Sequence, residues 1–176
     1  MHHYRVTCAW IGSTGAGYET YTRTHTATAP PAEAELTLSA DPEFRGDPAL
    51  LDPEQLLVLA AASCQLLSFL AVAARARLDV VAYADDATAE MPDDDLPMRI
   101  TAITLRPQIT VRSDDPSPGR SEVLVERVHH LCEVAHRECY IANSLTTAIV
   151  IEPTVRVVTD PSGTPSGGFP PPDRAG

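Results

Sequence analysis

Residues 55–74 carry no charged side chain, and this run constrains the fold more than any other stretch. It opens on Asp52-Pro53-Glu54-Gln55, where Asp52 suits the N-cap, Pro53 the first helical position, and Gln55 completes a capping-box-like start. The helix that follows is apolar on nearly every face. Such a helix is either buried in the middle of a protein or spans a membrane. Gln65, the short polar side chains of Ser63, Cys64 and Ser68, the many alanines and the lack of a second apolar span argue against a membrane. A buried central helix is expected, with one cysteine, Cys64, at its middle.

The chain has 176 residues, enough for a domain with a real core, and a net charge of −11, which argues against nucleic acid or an anionic membrane surface as a partner. All its Lys+Arg count is arginine, a bias that genomic base composition accounts for. The chemical consequence is sharper. Schiff-base catalysis and a Walker-type phosphate loop both need lysine and are excluded. The start, Met1-His2-His3-Tyr4-Arg5, has no apolar signal region, so a reducing cytoplasmic setting is expected. There Cys8, Cys64, Cys132 and Cys139 read as thiols, redox centres or metal ligands rather than structural disulfides.

Taken in order, residues 4–11 and 18–28 read as a hairpin around a Gly-rich turn at 12–17. That turn precedes no helix, so it is not a phosphate cradle. Residues 35–39 make a third strand, and the turn-rich 41–48 segment, with Arg45 before Gly46, leads into the long helix. Residues 78–89 and 100–111 read as strands around the acidic 92–97 loop. A second, amphipathic helix carries Leu124, Val128, Leu131, Cys132 and Ala135 at three- and four-residue spacing. Cys139 falls about 20° round from Val128, on the same buried stripe. Strands at 148–151 and 155–158 follow. The order predicts an α+β domain over residues 1–159 and a disordered Pro/Gly-rich tail over 160–176.

A lone cysteine in an Ala/Leu helix is usually a small buried hydrophobe. Two cysteines, Cys64 and Cys139, on the two main helices open another reading: a reversible pair, one thiol attacking and one resolving. Burial alone would leave Cys64 inert, so something must hold its thiolate, and Arg45 is the best-placed cation. A metal site is the rival reading, since Cys132 and His136 stand at i, i+4. His129, Cys132, His136 and Cys139 together span about 15 Å of helix and cannot converge on one ion.

These residues resemble the OsmC/Ohr family, the osmotically inducible protein C and organic hydroperoxide resistance superfamily. The likeness lies in Asp52-Pro53-Glu54-Gln55-Leu56-Leu57 with Cys64 ten residues past Glu54, and in Ala135-His-Arg-Glu-Cys139-Tyr-Ile-Ala-Asn-Ser144. It extends over about residues 4–158. The resemblance implies an intertwined homodimer with antiparallel sheets around two long central helices. It also implies a cysteine-based peroxidase that reduces organic hydroperoxides, with no cofactor and with electrons from a dithiol such as a lipoyl group or from a small thiol. Cys64 would be the peroxidatic nucleophile and Cys139 the resolving thiol, with Arg45 and Glu54 beside them; Arg23 is a second candidate for the arginine. The chain departs from the family pattern in having Asp52 for asparagine and Tyr140 where proline often follows the second cysteine. A redox-inert member binding an apolar ligand or a partner is the alternative.

Glu54 and Cys64 stand about 15 Å apart along one helix and about 80° round it, so they cannot touch within it. If both serve one site, the simplest solution is two such helices antiparallel across a two-fold, Glu54 of one chain approaching Cys64 of the other.

Overall fold

The computed structural model describes residues 1–115 and 117–159 and divides the chain into two compact units, Met1–Leu57 and a second from Val58 onward. The expected tail at 160–176 lies outside the described residues.

The first unit is an antiparallel sheet of β1 (Thr7–Ala9), β2 (His25–Thr28) and β3 (Glu35–Leu38), in that order, with Cys8 opposite Ala27 and His25 opposite Leu38. The first two strands are shorter than the sequence predicts, because the connecting loop is held by side chains instead of ladder bonds. Trp10 Nε1 donates to the Thr22 carbonyl at 2.8 Å, and the Arg23 guanidinium stacks 3.9 Å from the Tyr21 ring and 4.6 Å from that of Tyr18. After β3, a 3-10 turn at Pro42–Phe44 is capped by Asp41, whose carboxylate accepts from the Glu43 N–H at 2.7 Å. Arg45 follows with a left-handed backbone, φ 67°. Gly46 is then obligatory, since a Cβ there would fall 1.5 Å from the Ala40 carbonyl oxygen.

Helix α1 spans Pro53–Arg75. Its predicted cap forms reciprocally: the Gln55 N–H donates to Asp52 Oδ1 at 2.7 Å, and the Asp52 N–H reaches Gln55 Oε1 at 3.4 Å. It ends in a Schellman-type turn, with Leu78 N–H on the Ala73 carbonyl at 2.9 Å and Arg77 taking the left-handed position, φ 54°, that glycine usually fills.

In the second unit each predicted strand is two. Residues 78–89 yield β4 (Val80–Asp85) and β5 (Thr88–Glu90), and residues 100–111 yield β6 (Ala102–Leu105) and β7 (Pro107–Arg112). The breaks face each other, where Asp85 Oδ1 accepts from the Arg106 N–H at 2.7 Å. Helix α2 (Arg120–Glu138) leads to β8 (Ala148–Ile151) and β9 (Thr154–Val158), separated at Pro153. Two three-stranded sheets result, ordered β4-β7-β9 and β5-β6-β8.

The expectation of antiparallel sheets is corrected in part. β4–β7 and β5–β6 are antiparallel, but β6–β8 and β7–β9 are parallel. The reason is the connection. α2 carries the chain back as a crossover, which is what parallel neighbours require.

α1 buries Ala61, Gln65, Phe69, Val72 and Ala73. Ala61 packs with Ile103 and Leu105 in one cluster, and Phe69 with Ile109, Val128 and Cys132 in the larger one. The opposite face stays open in the single chain, with Leu59 55%, Leu67 64% and Leu70 39% exposed. By length and composition alone α1 could cross a membrane, yet its buried stripe belongs to both cores. Phe69, 0% exposed and 5.8 Å from the Tyr83 ring centre, anchors the larger core. Phe69→Ala is expected to lower the unfolding free energy by about 3–5 kcal/mol in urea titrations.

Candidate active site

Cys64 is half-buried in the middle of α1. Ser68 lies one turn further along, and its hydroxyl reaches back to the Cys64 sulfur. The remaining contacts come from the end of α2. That helix stops at Glu138, and Cys139 turns out of it with extended backbone angles, φ −71° and ψ 113°. The next residues fold into a tight 3-10 turn at Ala142–Ser144.

Two side chains pin that turn. Asn143 Nδ2 donates to the Arg137 carbonyl at 3.0 Å, satisfying an acceptor the helix end leaves open, and Ser144 Oγ donates to the Tyr140 carbonyl at 2.7 Å. The backbone N–H groups of Tyr140 and Ile141 are thereby directed at the Cys64 sulfur, and the Cys139 thiol donates to it as well. Burial pushes the Cys64 thiol up. The hydrogen bonds from Cys139, Ile141, Tyr140 and Ser68 outweigh that, and the thiol stands below its ordinary value.

Cys139 is 1% exposed. Burial, and then the proton it shares toward Cys64, push its thiol up to about 11, although the Ala142 N–H approaches its sulfur at 3.5 Å. The pair is therefore asymmetric: the Cys64 thiol is shifted down and the Cys139 thiol up. Cys132 is a different case, a core thiol in α2 raised to about 12 by burial and by the neighbouring Glu133 charge. His129 is exposed while Cys132 is buried, so these two candidates for a metal point to different environments.

The structure brings together Cys64 and Cys139, both in the second unit. Arg45 forms an ion pair with Glu19 inside the first unit. Arg23, the second candidate, donates to the Tyr18 carbonyl at 2.7 Å and is held between the tyrosine rings. Glu54, in the first turn of α1, forms no ion pair among the described residues. Within the second unit the Cys64 sulfur is held first by the Cys139 thiol, then by the main-chain N–H groups of Ile141 and Tyr140 and by the Ser68 hydroxyl. Sequence reasoning missed the two main-chain donors because an amide N–H carries no residue signature. Ser68, at i+4 from Cys64, could have been found from spacing alone. Tyr140 also changes meaning. Proline at that position would have no N–H to give, so the departure from the family pattern supplies one of the donors.

A family model described as OsmC-like protein matches residues 46–154. Among solved structures, an OsmC-like protein of unknown function from Vibrio cholerae aligns with a TM-score of 0.75 at 27% identity, covering 88% of this chain and 100% of that one. An organic hydroperoxide resistance protein from Elizabethkingia anophelis aligns with a TM-score of 0.63 at 15% identity, over 90% of this chain and 98% of that one. The organic hydroperoxide resistance protein OsmC from Legionella pneumophila gives 0.61 at 15% identity, over 88% and 97%. No curated protein matches the chain in sequence. The α+β architecture, the capped helix that carries Cys64 and the family model spanning most of the chain agree: the protein belongs to the OsmC/Ohr family.

Proposed function

We propose that the protein is a thiol-dependent peroxidase that reduces organic hydroperoxides to alcohols. The observation that carries the reading is the asymmetric pair, Cys64 with its thiol shifted down and the Cys139 thiol, shifted up, donating to its sulfur. The Cys64 thiolate attacks a peroxide oxygen, the O–O bond breaks, and the departing alkoxide takes up a proton as the alcohol. Cys64 is left as a sulfenic acid. Cys139 then attacks that sulfur, the S–O bond breaks, and the hydroxyl leaves as water with the Cys139 proton. An external dithiol, a lipoyl group or a small thiol, returns the disulfide to two thiols and is itself oxidised.

The apolar residues of α1 around Cys64 favour alkyl and lipid hydroperoxides over hydrogen peroxide. The open Leu59, Leu67 and Leu70 face of α1 supports a homodimer, in which such a stripe is covered by its own copy. In that assembly Glu54 of one chain would approach Cys64 of the other, and Arg45, released from Glu19, would add positive charge that Glu54 orients. The setting is the reducing cytoplasm.

The test is consumption of cumene hydroperoxide and of hydrogen peroxide by the reduced protein with dihydrolipoamide as donor. Faster loss of cumene hydroperoxide is expected; background rates with both would end the reading and leave a redox-inert ligand-binding protein.

A pH profile probes the cradle directly. Alkylation of Cys64 by iodoacetamide should rise with pH and level off below the range of an ordinary thiol, because only the thiolate reacts and its pKa is lowered. Tyr140→Pro deletes one donor, so its profile should move to higher pH, with slower alkylation at neutral pH.

A further inference from the structure

Immediately after Cys64 on α1 stands Gln65, 1% exposed. Its Nε2 donates to the main-chain carbonyl of Cys132 at 3.2 Å, a bond from α1 to α2 through the core. Only the nitrogen end of an amide can face a carbonyl oxygen, so the orientation of this side chain is fixed. Its Oε1 is buried without a partner among the described residues. A leucine or methionine would fill the same space without leaving an acceptor unsatisfied, so the amide is not there for packing.

The geometry of the two helices supplies the reason. Apolar contacts such as Phe69 on Val128 and Cys132 are non-directional and tolerate sliding of one helix along another. A hydrogen bond fixes one position. Two further polar contacts lie at the α1 end: the Arg75–Glu138 ion pair, half-exposed and surface-screened, and the Arg127 guanidinium on the carbonyl of Ala76, the residue after α1. Gln65 sits next to Cys64, and Cys132 lies two turns before Cys139 on α2. One buried bond thus ties together the two helices that present the thiols.

We propose that Gln65 is a positioning residue: its bond to the Cys132 carbonyl sets α2 along α1 and so holds the Cys139 thiol at the Cys64 sulfur for disulfide closure. The purpose of that placement rests on the peroxidase reading; the placement itself does not.

Glutathione tests it without any peroxide. Protein dithiol and oxidised glutathione exchange to protein disulfide and two reduced glutathione molecules, so the equilibrium constant reports how well the two thiols are held together. Full-length wild type, Gln65→Leu and Gln65→Met are equilibrated in glutathione buffers, acid-quenched, alkylated and weighed by mass spectrometry. Both variants are expected to lower the constant about tenfold, the scale of one buried hydrogen bond, with the far-UV circular dichroism unchanged. If leucine disturbs the fold, methionine, which follows the shape of glutamine, keeps the comparison. A constant within about twofold of wild type in a folded variant overturns the proposal. A wild type that consumes no cumene hydroperoxide but shows the tenfold shift in its variants removes the peroxidase reading and leaves the positioning role in place.

Discussion

Cys64→Ser is expected to lower organic hydroperoxide consumption by about a thousandfold or more, to the rate of the dithiol alone. The substitution exchanges one atom and leaves the cradle of Tyr140 and Ile141 amides, Ser68 and Cys139 able to donate to an oxygen in place of the sulfur. Stability and fold should therefore stay within the small range of a conservative change. What disappears is the nucleophile, because a serine hydroxyl stays protonated at neutral pH and those four donors cannot bring it into range. Peroxide loss followed with ferrous ion and xylenol orange reads the effect. Retention of more than about a tenth of the wild-type rate would move the chemistry to another thiol, of which Cys8 is the exposed one.

Cys139→Ala should give the second-largest effect, and of a different kind. The first equivalent of hydroperoxide should still be reduced, though more slowly, because Cys64 loses the strongest of the hydrogen bonds that favour its thiolate. The sulfenic acid then finds no partner within the chain. Under excess hydroperoxide, mass spectrometry should show one and then two added oxygen atoms on Cys64, where the wild type shows loss of two hydrogens. Turnover with a dithiol should fall about tenfold to a hundredfold, since the donor must now attack the sulfenic acid without an intramolecular disulfide to hold it for reduction. Unchanged turnover would assign resolution to an external thiol and leave Cys139 as a hydrogen-bond donor only.

The elements and the thiols were legible for a physical reason: each depends on side-chain pattern. Asp52 and Gln55 announce the start of α1, and Leu124, Val128, Leu131, Cys132 and Ala135 announce the buried stripe of α2; all of these behave as their spacing requires. The strands were harder. Residues 4–11 and 18–28 carry strand-like alternation, but Trp10, Tyr18, Tyr21 and Arg23 use it to stack on one another. The split of the later strands turns on single contacts such as Asp85 with Arg106, which no periodicity encodes. α1 reads as apolar on nearly every face, and the single chain covers one stripe of it and leaves Leu67 open. Within the site, side chains pointed to Cys64 and Cys139, but two of the donors to the Cys64 sulfur, at Tyr140 and Ile141, are amide groups, and the buried tie at Gln65 reads in sequence as one polar residue in an apolar run.

The turn that Asn143 and Ser144 pin after α2 has one more implication. A thiolate stabilised by a distant cation loses reactivity as salt screens the attraction. Main-chain dipoles hydrogen-bonded to a sulfur offer ions little to screen, as in other main-chain anion nests. The share of the Cys64 shift that Ile141 and Tyr140 contribute should to that extent be independent of ionic strength. That share depends on the N–H groups and not on the side chains at positions 140 and 141, provided neither is proline.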